Sequence, residues 1–169
     1  ALRKHCLPYV AANAQQLELL EKACRRRGVK RLVDLGSGDG VVCVELAKRL
    51  GVQARGVELN PWLVYYSKYS AWRENVGELC TFERGDLFKA DVSDADAVAL
   101  FVVPAMMADL EKKLARELPA DACVLAARFP LATWTETRHD VHTVKSRGYN
   151  VNQLWEYELD PAVRALREE

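Results

Sequence analysis

Val33-Asp34-Leu35-Gly36-Ser37-Gly38-Asp39-Gly40, the stretch VDLGSGDG, decides how this chain folds. The short apolar run Arg31 to Leu35 reads as a strand that enters a turn with three glycines. Beyond the turn, Val41 to Leu50 returns as a helix with Val42, Leu46 and Leu50 on one face. Strand, glycine turn and helix begin a βαβ unit, and in open α/β sheets ligands bind beyond the carboxyl ends of the strands. Gly36 and Gly38 let the backbone approach a ligand that a side chain would strike. Tight turns also need glycine for their own geometry, so the motif by itself is weak.

The same alternation continues outward, which predicts a mostly parallel sheet with crossover helices. A first helix is expected over Ala12 to Arg26, with Leu17, Leu20 and Cys24 as its apolar stripe. Arg25, Arg26 and Arg27 read as cations complementing its carboxyl-end dipole before Gly28 stops it. Further strands are expected at Ala54 to Glu58, Thr81 to Arg84, Val98 to Val103 and Cys123 to Ala127. Asn60 and Pro61 open one intervening helix as cap and first-turn proline. Met107, Leu110, Leu114 and Leu118 stripe another, which Pro119 ends. In the tail, Trp155, Tyr157 and Leu159 alternate with Glu156 and Glu158, the pattern of a half-exposed antiparallel strand. Val141 to Lys145 would pair with it across a turn at Ser146 to Asn150. Five parallel strands followed by a C-terminal antiparallel hairpin make one α/β domain over residues 1–169.

The chain has 24 Lys and Arg against 24 Asp and Glu, so nothing global draws it to nucleic acid or to an anionic membrane. Cys6, Cys24, Cys43, Cys80 and Cys123 are odd in number and scattered, which predicts reduced core thiols in a reducing compartment. No metal is expected, because His5, His139 and His142 lack cysteine partners at ligand spacing. No stretch reaches the roughly 18 apolar residues of a membrane span, and no signal peptide is visible. The chain opens on Ala1 rather than Met, which suggests that an N-terminal piece has been trimmed.

The acids sharpen the reading. Glu58 ends the second strand about 20 residues past the glycine turn, where an acid accepts from ribose hydroxyls. Asp86 follows the third strand, where a carboxylate complements an adenine amine. Asp34 ends the first, ready to face a cationic amino-acid group. The glycines run G-x-G-x-G, not G-x-G-x-x-G, and no G-K-[ST] follows, so neither a dinucleotide fingerprint nor a P-loop is present. Acids on three successive strand ends fit a cationic nucleoside without phosphate, and S-adenosylmethionine is such a ligand.

VDLGSGDG (33–40), GVELNPWLVYYSKYSAWRE (56–74) and VPAMMADLEKKLARELPADACVLAARFP (103–130), with Pro8-Tyr9-Val10, Trp134 and Leu154-Trp155-Glu156-Tyr157, resemble the mitochondrial protein-lysine methyltransferases of the ATP synthase c-subunit and the adenine nucleotide translocase. The resemblance covers nearly the whole chain. It implies a Rossmann-like seven-stranded class I methyltransferase sheet, with residues 1–27 as an N-terminal lid segment and helix. It implies an S-adenosyl-L-methionine cofactor, leaving as S-adenosyl-L-homocysteine, and transfer to a protein lysine, up to trimethyllysine. Asp34, Gly36, Ser37, Gly38 and Gly40 would hold the methionine end, Glu58 and Asn60 the ribose, and Asp86 and Leu87 the adenine, with Tyr9 closing over the cofactor. The implied partner is a small hydrophobic protein of the mitochondrial inner membrane and not a nucleic acid, with membrane association through a missing N-terminal segment. This chain departs from the pattern at Ala11, where the family often has a second proline, and in a longer last hairpin through Lys145 to Asn152.

A lysine amine attacks only when neutral, and its pKa is about 10.4 in water, so a desolvating pocket is needed more than a strong base. Pro104, Met106, Phe129, Pro130 and Trp134, after the fourth and fifth strands, are the candidates for that acceptor channel; no general base is named. Two alternatives are a class I methyltransferase acting on a small molecule or RNA, and a non-catalytic cofactor-binding domain. Val102-Val103-Pro104-Ala105 lacks the acid or amide that would hold a base amine, and the full set of strand-end acids argues against a dead site.

Overall fold

The computed structural model describes residues 11–143 and 151–159. Asn13 opens α1 (Ala14–Arg27) with a capping box: its side chain accepts from Gln16 N–H, while the Gln16 side chain accepts from Asn13 N–H. The chain continues through β1 (Arg31–Leu35), α2 (Val41–Leu50), β2 (Gln53–Glu58), α3 (Pro61–Arg73), β3 (Cys80–Arg84), β4 (Ala97–Leu100), α4 (Pro104–Glu117), β5 (Cys123–Ala127), β6 (Arg138–Thr143) and β7 (Val151–Glu158). These bounds fall within a few residues of the expected ones. β4 stops at Leu100, three residues short of the expected end, and β6 starts at Arg138, three residues before the expected Val141.

One seven-stranded sheet results, in the order β3-β2-β1-β4-β5-β7-β6. The first five strands are parallel; β7 runs antiparallel to β5, and β6 antiparallel to β7. The order reverses between β1 and β4, which pair from Leu32↔Ala97 to Leu35↔Leu100. Side-chain alternation sorts the core into two. Leu32, Ala54, Ala97 and Leu125 pack on one face beneath α1, α2 and α3, while Val33, Val57, Val98 and Val124 face α4 on the other.

Two expectations for the C-terminal strands and α1 are corrected. The alternation in β7 predicts a half-exposed strand, but β7 sits inside the sheet and Glu156 is buried. Arg26 and Arg27 do not merely complement the end of their helix: both pair with Glu156, and Arg27 also with Glu158. Burying a carboxylate demands such partners, and they lie far off in sequence. Cys24, Cys43, Cys80 and Cys123 are free and buried; burial pushes the Cys24 and Cys123 thiols up to about 12. Cys6 and the turn at 146–150 lie outside the described residues. No helix among the described residues is long and apolar enough to cross a membrane.

Candidate functional site

The turn after β1 is pinned to the end of β2. The N–H groups of Gly36 and Ser37 both donate to Val57 O, at 2.8 and 3.0 Å, and Gly40 N–H donates to Ser37 O at 2.9 Å. Gly36, Gly38 and Gly40 all take positive φ, at 84°, 55° and 78°, a region costly for any residue with a Cβ. Packing adds a second constraint at Gly40. A Cβ there would lie 2.7 Å from the Ser67 Cβ and 2.8 Å from the Phe82 ring. Gly56 makes room from the neighbouring strand, since its Cβ would fall 2.6 Å from the Ser37 Oγ.

Three acids ring this turn in different states. Asp34 is buried on the helix α2 side of β1, and its Oδ1 has no hydrogen-bond partner; the buried Ser37 Oγ is likewise unpartnered. Burial pushes the Asp34 carboxyl up to about 7, and the nearby Glu58 and Asp39 carboxylates add to that. Glu58 accepts from Gly38 N–H at 3.0 Å through Oε2 and from Asn60 N–H at 2.8 Å through Oε1. Asn60 in turn caps α3, its Oδ1 accepting from Trp62 N–H at 3.0 Å. Asp86 is exposed past β3, with Oδ1 accepting from Phe88 N–H at 3.0 Å. The next residue closes the ring: Leu87 Cδ2 stands 3.6 Å from where a Gly36 Cβ would be. Thus Asp34, Gly36, Ser37, Gly38, Gly40, Glu58, Asn60, Asp86 and Leu87 gather at the carboxyl ends of β1, β2 and β3. Tyr9 lies outside the described residues.

The apolar candidates gather at the adjoining ends of β4 and β5. Pro104 is exposed at the first turn of α4, and Phe129 and Pro130 are exposed after β5. Met106 and Trp134 are half-buried against the α4-side core. Arg128 starts the loop after β5 in the left-handed region, at φ 77°, a strained conformation for a residue that carries a Cβ.

What holds that loop was not expected from the sequence. Leu131 N–H donates to the Tyr157 hydroxyl at 2.9 Å. Glu111, buried on α4, accepts from the Ala132 and Thr133 N–H groups through Oε1 and from the Thr133 hydroxyl through Oε2. The signal was present: Glu111 lies four residues from Met107 and one from Leu110, on the buried stripe of α4, where an acid needs a partner. A broad open hollow at the opposite end of the sheet, lined by Lys30, Arg31, Asp96 and Asp121, holds none of the predicted site residues. No group of three or more metal-ligating side chains comes together among the described residues.

An acid-lined turn beside an apolar rim suits a ligand with one cationic, polar end. A family model described as the ANTKMT methyltransferase domain matches residues 34–138. The Homo sapiens lysine N-methyltransferase of the ATP synthase c-subunit is 48% identical over 94% of this chain, which spans 64% of that protein's length. The adenine nucleotide translocase lysine N-methyltransferase of Mus musculus is 39% identical over 90% of this chain and 63% of its own length. Among solved structures, an RNA methyltransferase from Salinibacter ruber in complex with S-adenosyl-L-homocysteine superposes with a TM-score of 0.80 at 25% identity, covering 90% of this chain and 95% of that one.

Proposed function

Because the chain belongs to the ANTKMT methyltransferase domain family, we propose that it transfers a methyl group from S-adenosylmethionine to a lysine of a protein. The observation that carries this reading is the buried, unpartnered Asp34 oxygen beside Glu58 at the glycine turn. A carboxyl oxygen left without a partner in an otherwise packed turn suits a ligand ammonium. Glu58 has both oxygens held by backbone N–H groups, and each oxygen keeps a lone pair for ribose hydroxyls. Asp86 stands one residue from Leu87, so a carboxylate and an apolar surface are side by side for an adenine amine and ring.

When bound, the cofactor supplies an electrophilic methyl carbon on its sulfonium. The chain's part is to bind, to orient and to exclude water. Met106, Phe129, Pro130 and Trp134 offer an apolar approach in which a lysine ammonium loses hydration, lowering its pKa toward the neutral nucleophile. Aromatic faces at Phe129 and Trp134 also tolerate the methylated cation. Tyr9, in the segment before α1, is read as closing over the cofactor.

The substrates for which the relatives are named suggest a small hydrophobic mitochondrial membrane protein, the ATP synthase c-subunit or the adenine nucleotide translocase. That partner would set the site of action in the mitochondrion. Incubation with methyl-labelled cofactor and mitochondrial membranes is expected to label such a protein, with methyllysine on hydrolysis. Asp34→Ala and Glu58→Ala are each expected to lower cofactor affinity at least tenfold by calorimetry, as loss of a charge-assisted contact requires, and unchanged affinity in both would refute the site. The structural likeness to an RNA methyltransferase favours one second reading: label that RNase removes would replace the protein acceptor by RNA.

A further inference from the structure

Helix α3 carries its largest side chains on the side away from the core. Trp62, Tyr65, Tyr66, Tyr69 and Trp72 follow one another at three-and-four spacing, so they share a face. A stripe of that kind is ordinarily buried. Here the exposures are 79, 67, 50, 52 and 70%, and Leu59 just before the helix reaches 61%. The buried face is built instead from the small Val64, Ser67 and Ala71. Ser67 shows why. Its hydroxyl donates to Leu63 O at 2.8 Å and lies 3.2 Å from Gly38 O, and its Cβ is 2.7 Å from where a Gly40 Cβ would sit. The helix lies so close to the glycine turn that no ring fits between them.

The outward face therefore presents on the order of several hundred Å² of contiguous aromatic surface, beyond what scattered surface residues explain. Its chemistry indicates what covers it. Every ring is Trp or Tyr, apolar in body and polar at one edge, the type that settles at the boundary between lipid headgroups and acyl chains. The helix contains no Asp or Glu but has exposed Lys68 and Arg73. Lys68 sits three residues from Tyr65 and four from Trp72, and Arg73 four from Tyr69. The flanking Glu74 is taken up by Lys48 at 2.7 Å and Arg73 at 3.4 Å. Asp39, Glu45 and Glu74 border the face where Tyr66 and Arg73 stand, so the cationic bias is confined to the helix itself.

We propose that the outer face of α3 docks on the surface of an anionic phospholipid bilayer. The helix lies in the interfacial plane, its rings enter the headgroup boundary, and Lys68 and Arg73 meet the phosphates. Trp62 stands two residues from Asn60, so one end of this face adjoins the acid-lined strand ends. The docking itself needs neither cofactor nor methyl transfer.

The test is cosedimentation of the purified chain with vesicles of phosphatidylcholine alone and of phosphatidylcholine mixed with phosphatidylglycerol. Binding to the mixed vesicles is expected, weakened by salt and accompanied by a blue shift of tryptophan emission. A Tyr65→Ser, Tyr69→Ser, Trp72→Ser variant is expected to lose about tenfold or more of that binding. Lys68→Glu with Arg73→Glu should abolish the preference for anionic lipid. Circular dichroism and S-adenosylmethionine affinity of the variants, both expected to be unchanged, separate a failed docking face from a failed fold or a failed cofactor site. The proposal is overturned if the unaltered chain binds neither vesicle or if the triple variant binds as well. A dimer that the triple variant dissociates, or a loss confined to binding of a detergent-solubilised protein acceptor, would also overturn it.

Discussion

Asp34 keeps a carboxyl group out of water with one oxygen unpartnered, and the consequences are readable as pH dependence. Its carboxyl is pushed from 3.8 up to about 7, first by burial and then by Glu58 and Asp39. A raised folded-state value means that the folded form holds the proton more tightly. The resulting stability is complete below pH 3.8 and is lost as pH rises through about 7. Asp34→Asn imitates the protonated group, so it is expected to melt higher than the unaltered chain at pH 8, by at most about 4 kcal/mol in stability. The two should converge near pH 4 by calorimetry. A cationic ligand group reverses the preference and favours the ionised carboxylate. Cofactor binding is therefore expected to release a proton at pH 6, where the ligand ammonium is already charged, measured from binding enthalpies in buffers of different ionisation heat. No buffer dependence at pH 6 would contradict the pairing.

Among the elements, α4 and the loop after β5 act together. The Glu111 carboxylate gathers two backbone N–H groups and one hydroxyl from Ala132 and Thr133, in the loop that carries Phe129, Pro130 and Trp134. Glu111→Ala removes these bonds and lets the donors of the exposed Ala132 and Thr133 turn to water, at about 0.5–1.5 kcal/mol each, so a lower Tm is expected. If the loop borders the acceptor, KM for the protein acceptor rises while cofactor affinity holds. Glu111→Gln keeps an acceptor for both N–H groups and should restore KM; equal KM in all three chains would show that the loop does not border the acceptor. At the element scale α3 also departs from its sequence pattern. Its aromatic stripe matches a core face by spacing, but the close approach of Ser67 to the glycine turn gives the core to small residues.

The whole molecule is tied across its ends by ion pairs that no local pattern announces. α1 meets β7 through Arg26 and Arg27, which hold Glu156 where it is only 4% exposed. Replacing both arginines with alanine leaves a buried carboxylate without its cations, which costs about 3–5 kcal/mol. At about 2–4 °C per kcal/mol for a chain of this size, a Tm loss of roughly 6–20 °C is expected by scanning calorimetry. Glu156→Gln removes the charge along with the need for the cations and should cost less. A double arginine variant as stable as the unaltered chain would show that Glu156 finds other partners.

The sequence alone determined the first five strands, their parallel direction and the acids at their ends. Apolar periodicity, glycine turns and proline stops are local signals, and a βαβ chain brings successive strand ends together by its connectivity. Only the tertiary structure decided which charged groups are buried and which apolar ones are not. Glu111 and Glu156 became interior because distant N–H groups and arginines reach them. The α3 aromatics became exterior because a close helix-to-turn contact left them no room. Both outcomes depend on distances between segments far apart in the chain, which residue type and spacing do not carry.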